Sequence, residues 1–166
     1  MLRVARFNRE TFLELREDKS ANGQAVAALF LACLSYGIGF TLFNQPLALD
    51  NIIVGILANL ILSLLAGLLW AITVFLVGTK LFRGKAQFWQ LARPLFFSAT
   101  PGIFFILIAI RVEFISRAVT AGVAVWVVVG GVIALKNSMG FGYDRSMLTY
   151  IVGFLIGIAL AGFLGL

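Results

Sequence analysis

Apolar positions in this chain fill whole stretches, at residues 25–49, 51–79, 94–110, 118–135 and 146–166, with charge confined to short knots between them. A helix needs roughly 20 apolar residues to cross a hydrocarbon layer about 30 Å thick, and these runs approach or exceed that length. Backbone in lipid must satisfy its own hydrogen bonds, and the runs lack the period-two alternation of a barrel, so helices are expected. The pattern predicts an all-α fold, a polytopic transmembrane helical bundle of five spans. Residues 1–24 form a cytoplasmic or interfacial amphipathic arm and residues 25–166 the membrane domain. Span three is short: at 1.5 Å of rise per residue it reaches only about 24 Å, so a re-entrant hairpin with span four is the alternative.

The arm alternates charge with apolarity. Asn8 is placed to cap a helix whose first turn holds Glu10, with Phe12, Leu15 and Lys19 along one face. Such a helix either lies in the membrane interface or serves as a solvated lead-in to span one. A second interfacial stretch, residues 80–90, sets Leu81, Phe82, Phe88 and Trp89 among Lys80, Arg83 and Lys85. Aromatic and basic side chains of this kind anchor at headgroup depth. Arg83, Lys85, Trp89 and Arg93 are therefore the candidate contacts to lipid or a partner.

Helix association in lipid relies on close packing through small residues. Span two carries Gly55, Asn59, Ser63, Gly67 and Ala71 at every fourth position, and span five carries Gly153, Gly157, Ala161 and Gly165. Span four adds Ser116, Thr120 and Ala124. A spacing of four drifts around a 3.6-residue helix and favours a right-handed crossing, so spans two and five are expected to cross closely, or one stripe to serve a homodimer. Asn59 is expected to hydrogen-bond a neighbouring helix. Arg111, Glu113 and Arg117 are the candidate functional charges, with an ion pair at the outer interface as the structural alternative. Thr100-Pro101-Gly102 interrupts span three; Pro101 marks a kink, or a break lining a site.

Composition sharpens the class. Hydrophobic residues make up 61% of the chain and charged ones 12%, against roughly 25% charged in a soluble domain. Eleven of the thirteen Lys and Arg residues fall on the arm, the second connector and the fourth, and two on the third. The positive-inside rule then puts the amino terminus in the cytoplasm and, with five spans, the carboxyl terminus outside. The net charge of +6 sits at membrane edges without a basic-aromatic groove, so anionic lipid rather than nucleic acid is the expected partner. Cys33 is alone and reads as packing. With no histidine, no nucleophile beside a base, no phosphate loop and no metal-ligand spacing, neither enzyme activity nor any cofactor is expected.

Three stretches carry a resemblance: FLELREDKSANGQ at residues 12–24, LFRGKAQFWQLARP at 81–94 and FSATP at 97–101. With the five-span plan they resemble the Ypt/Rab-interacting-protein (Yip) domain family, in particular its short prokaryotic members. The resemblance implies an integral membrane fold in which Arg93, Pro94 and Pro101 are structural positions. Eukaryotic relatives bind prenylated Rab GTPases with the help of a long cytosolic amino-terminal region. No such region is expected of a short prokaryotic member, so neither is a Rab-type partner, and a bacterial or archaeal cytoplasmic membrane is the expected home. Two functions follow as expectations. One is a non-enzymatic interaction or scaffold protein working through its basic arm and central loop, alone, as a homo-oligomer or with a membrane partner. The other is a small transporter or channel.

Overall fold

The structure, a computed structural model, describes residues 9–44 and 49–164. These are mostly helical, without a strand among them. The α-helices in chain order are α1 (Arg9–Glu17), α2 (Asn22–Asn44), α3 (Leu49–Leu76), α4 (Phe88–Ser98), α5 (Glu113–Met139) and α6 (Tyr143–Leu164). A 3-10 turn, Lys19–Ala21, precedes α2; a π-helical turn, Val77–Leu81, ends α3; and a 3-10 helix, Thr100–Ile110, continues α4. Five segments are long and apolar enough to cross a membrane: Lys19–Asn44, Leu49–Leu81, Phe88–Ile110, Glu113–Met139 and Tyr143–Phe163.

Span boundaries shift where charges ride on helices. Span three begins at Phe88 rather than residue 94, because Arg93 lies inside it; span four begins at Glu113 rather than residue 118. Asn8, residues 45–48 and Gly165, each part of an expectation above, lie outside the described residues.

Span three is long enough to cross because it begins at Phe88, and a change of helix type lengthens it further. Pro101 has no amide to offer the Phe97 carbonyl, and the Thr100 hydroxyl donates to that oxygen instead at 2.6 Å. The Ser98 hydroxyl likewise donates to Leu95 at 2.6 Å. From Thr100 onward the chain runs as a 3-10 helix of 11 residues. At about 2.0 Å per residue that segment reaches about 22 Å, and α4 adds about 16 Å, so the two exceed the hydrocarbon thickness together. The kink expected at Pro101 is thus a change of helical pitch.

The core surrounds α4. Residues 91–98 are all buried, enclosed by α1, α2 and α5. Phe12 of α1 is 0% exposed and belongs to the same cluster as Ala21, Ala25, Ala92, Phe96 and Ala134. Through Phe12, α1 is docked onto the end of the bundle. Burying a phenylalanine contributes about 1.5–3 kcal/mol, which is enough to hold a nine-residue helix that would be marginal alone.

Small residues do mediate packing, but not all in the expected pairs. The stripe of α3 faces α2. A Cβ on Gly55 would sit 2.6 Å from Thr41 Cγ2, one on Gly67 would sit 3.3 Å from Leu29 Cδ1, and Asn59 donates to the Thr41 hydroxyl at 3.1 Å. Asn59 also donates to Gly55 at 2.9 Å, and Ser63 to Leu60 at 3.0 Å, both within α3. The stripe of α6 meets a different face of α3: a Cβ on Gly153 would lie 2.9 Å from Val74 Cα, and one on Gly157 would lie 3.3 Å from Thr73 Oγ1. Ala161 is half-buried. Spans two and five do pack together, yet stripe does not meet stripe. In span four, Thr120 and Ala124 are exposed, and the buried side of α5 holds Val123, Gly130, Gly131, Ala134 and Leu135 instead.

A further small-residue face, on α2, was not anticipated. Ala25, Ala28, Ala32, Ser35 and Gly39 are buried at alternating spacings of three and four. Gly39 is where a Cβ would collide with the Phe105 carbonyl of the 3-10 helix, and a Cβ on Gly102 would be 2.7 Å from that of Ala32. Tyr36 closes this contact edge-on against Phe105, with ring centroids 5.5 Å apart.

Candidate functional site

One end of the bundle collects the π-helical end of α3, the turn at residues 82–87, the α5–α6 turn and α1. The turn folds back on α3, with the Gly84 amide donating to Gly78 at 2.8 Å and that of Phe82 to Val77 at 3.1 Å. Arg83 is held at φ 57° in that turn, a left-handed conformation uncommon outside glycine. Gly84 approaches Phe141, where a Cβ would be 2.7 Å from Cζ. On the opposite side Gly140, at φ 71°, ends α5; its amide and that of Phe141 both donate to Lys136, at 3.1 and 3.2 Å. Lys136 Nζ stands 3.4 Å over the Tyr143 ring.

The four candidate contact residues separate here. Arg83, Lys85 and Trp89 are exposed, with Lys80 and Leu81 beside them, whereas Arg93 is 3% exposed in the centre of α4. Arg93 is therefore not a surface contact; a long polar side chain became buried because the stretch 91–98 of α4 is buried throughout. Its Nε donates to Trp89 at 2.9 Å, and its Nη1 is buried without a hydrogen-bond partner. The Gln87 amide donates to Gln90 Oε1 at 2.9 Å, which closes the first turn of α4.

Asp18 lies at the junction of α1 and α2, within reach of the positive charge of Arg93. Its carboxylate accepts from the Ser20 hydroxyl at 2.6 Å and amide at 2.9 Å. Ser20's hydroxyl and amide hold the carboxyl below the usual Asp range, and the positive charge of Arg93 pulls the same way. Asp18 and Ser20 belong to the stretch 12–24 that carries the resemblance but are not among the candidate site residues the sequence points to. The Asp-x-Ser spacing was the available signal, since it is a local capping arrangement.

At the opposite end Glu113 and Arg117 pair at 2.6 Å, with side chains 71% and 79% exposed. Arg111 is left-handed, at φ 62°, and its Nε donates to the Leu42 carbonyl at the end of α2. These charges staple the ends of spans and ride on the surface. Cys33 is buried beside Ser63, consistent with a packing role.

An apolar exterior over five crossing-length helices, with charge gathered at the two ends, defines a polytopic helical integral membrane protein. The chain belongs to the Yip1 domain family, whose sequence model matches residues 2–166, essentially the whole chain. No match was found among curated proteins or among solved structures.

Proposed function

We propose that this protein is a non-enzymatic membrane interaction protein, acting in a bacterial or archaeal cytoplasmic membrane through its basic end. The observation that carries the reading is the exposure of Arg83 and Lys85 beside Lys80, Leu81 and Trp89 at one end of an apolar bundle. Each such cation near an anionic leaflet contributes about 1 kcal/mol of attraction, and an exposed tryptophan adds an interfacial anchor. Rigid backbone supports this surface, because the turn that bears Arg83 is fastened to Gly78 at 2.8 Å.

The test is to replace Lys80, Arg83 and Lys85 with Gln together and to measure enrichment of anionic over zwitterionic lipid around the protein in mixed proteoliposomes, along with crosslinked neighbours in native membrane. The reading requires loss of enrichment, or loss of a neighbour, while the bundle still inserts. Retention of both at the unmodified level contradicts it.

A second reading, transport of an ion or small solute, draws on the helix break at Pro101. Support for it is weaker, because Thr100 already serves the carbonyl that the proline leaves free and Glu113 is paired with Arg117.

A further inference from the structure

Span three contains a segment of uncommon geometry. Hydrogen bonds reaching three residues back open and close it, from the Gly102 amide to Ala99 at 2.8 Å and from the Arg111 amide to Ile108 at 3.1 Å. The 3-10 helix so bounded runs for 11 residues. Runs of this kind beyond three or four residues are uncommon, because their hydrogen bonds are poorly aligned, and a long one within a helical stretch marks a hinge or strain.

Contacts with α2 follow the same pitch. Gly102, Phe105 and Ile108, three residues apart, meet that helix: a Cβ on Gly102 would stand 2.7 Å from that of Ala32, and one on Gly39 would strike the Phe105 carbonyl and lie 3.3 Å from Ile108 Cβ. An α-helix continued from Gly102 turns about 100° per residue rather than about 120°, which carries Ile108 about 120° away from α2. Ala109, half-buried in the structure, then replaces it, within about 20° of the Gly102 direction and about 1.5 Å from the level that Ile108 holds. Residues 103–110 are all apolar, so this rotation moves no polar side chain into lipid or out of it.

The ends of the segment set it apart. Pro101 interrupts the hydrogen-bond ladder, so the pitch can change without disturbing α4, whose residues 91–98 are buried. At the far end Arg111 folds back in the left-handed conformation, and its Nε donates to the Leu42 carbonyl. As an α-helix these 11 residues would reach about 17 Å instead of about 22 Å, a shortening of about 5 Å.

We propose that residues 100–110 are a length-adjusting segment, 3-10 in a thick bilayer and α-helical in a thin one, with Ile108 and Ala109 exchanging places against α2. The stimulus is bilayer thickness, which discriminates between the two forms because they differ in length and a mismatched span is costly for every ångström. This goes beyond the reading of the basic end and does not depend on it.

The experiment uses the full chain in a Cys33→Ser background, with nitroxides on Trp89→Cys and Ile110→Cys, exposed positions near the two ends of span three. Pulsed dipolar spectroscopy reads their separation in vesicles of dimyristoleoyl phosphatidylcholine, which are thin, and of dierucoyl phosphatidylcholine, which are thick. The separation is expected to be about 5 Å shorter in the thin bilayer. A second pair, Phe114→Cys and Val129→Cys within α5, reports on an ordinary helix and stays constant. Ala109→Leu puts bulk where the short form must meet Gly39, so it keeps the long separation in both vesicles. Ile108→Ala removes a contact made only in the long form and gives the short separation already in the thick bilayer; it keeps the test decisive should Ala109→Leu fail to insert. The inference is overturned by a separation that is equal in the two bilayers, by an equal change in the α5 pair, or by either variant behaving as the unaltered segment does.

Discussion

The Thr73 hydroxyl donates to the Gly153 carbonyl at 3.0 Å, joining α3 to α6 where their backbones come closest. The same oxygen donates to Trp70 at 2.8 Å, and Gly153 stands against Val74. Thr73→Val keeps the shape and removes the donor, so it should cost about 0.6–1.5 kcal/mol of stability in detergent. Gly153→Ala should cost about 1–3 kcal/mol, because the added Cβ meets Val74 backbone that cannot swing away. Thermal unfolding of the two variants reads both effects; a Gly153→Ala protein as stable as the wild type refutes the close crossing.

Gly39 and Gly122 make a matched pair for the other close approach. At Gly39 a methyl collides with the Phe105 carbonyl, whereas at Gly122, in the first half of α5, it meets nothing within 4 Å. Gly39→Ala should be destabilising by about 1–3 kcal/mol or more. Gly122→Ala should be neutral or stabilising by up to about 1 kcal/mol through helix propensity alone. Equal effects at the two positions would remove the argument for the α2 contact.

Asn59 and Thr41 hydrogen-bond across α2 and α3 at 3.1 Å. A double-mutant cycle with Asn59→Leu and Thr41→Val should return a coupling of about 0.6–1 kcal/mol, the range of such bonds in membrane proteins. A coupling indistinguishable from zero contradicts the pairing.

Asp18 carries a pH signature. Its carboxyl is held below the usual Asp range, first by Ser20 and then by Arg93. A lowered folded value means that its stabilising contribution is complete above the unfolded value and is lost as pH falls through the lower folded one. Ser20→Ala should therefore raise the Asp18 midpoint toward the ordinary carboxylate value, observable by carbonyl NMR. An unchanged midpoint rules out the Ser20 clamp.

Much of the fold was legible in residues alone, because lipid forces long uncharged helices and the interrupting charges mark their ends. Legibility failed where a charge did not mark an end. Arg93 reads as a boundary cation in the sequence, but it sits in the stretch 91–98 that is buried throughout, and periodicity does not report that enclosure. Glu113 and Arg117 read as connector residues in the sequence, although an exposed pair four residues apart can ride on a helix that has already begun. The stripe of α2 escaped notice because Ala25, Ala28, Ala32, Ser35 and Gly39 alternate between two spacings, while the regular fourfold stripes of α3 and α6 stand out. Docking of α1 depends on Phe12 finding a tertiary pocket, which no local pattern encodes.

The central claim is that the end bearing Arg83 and Lys85 faces the cytosol, where it meets its partner, and that the end bearing Glu113 faces outward. The direct measurement places single cysteines at position 85 or 113 in a Cys33→Ser background and treats intact cells with a membrane-impermeant maleimide. The account predicts labelling at position 113 and none at position 85 until the membrane is opened. Labelling of position 85 in intact cells contradicts it.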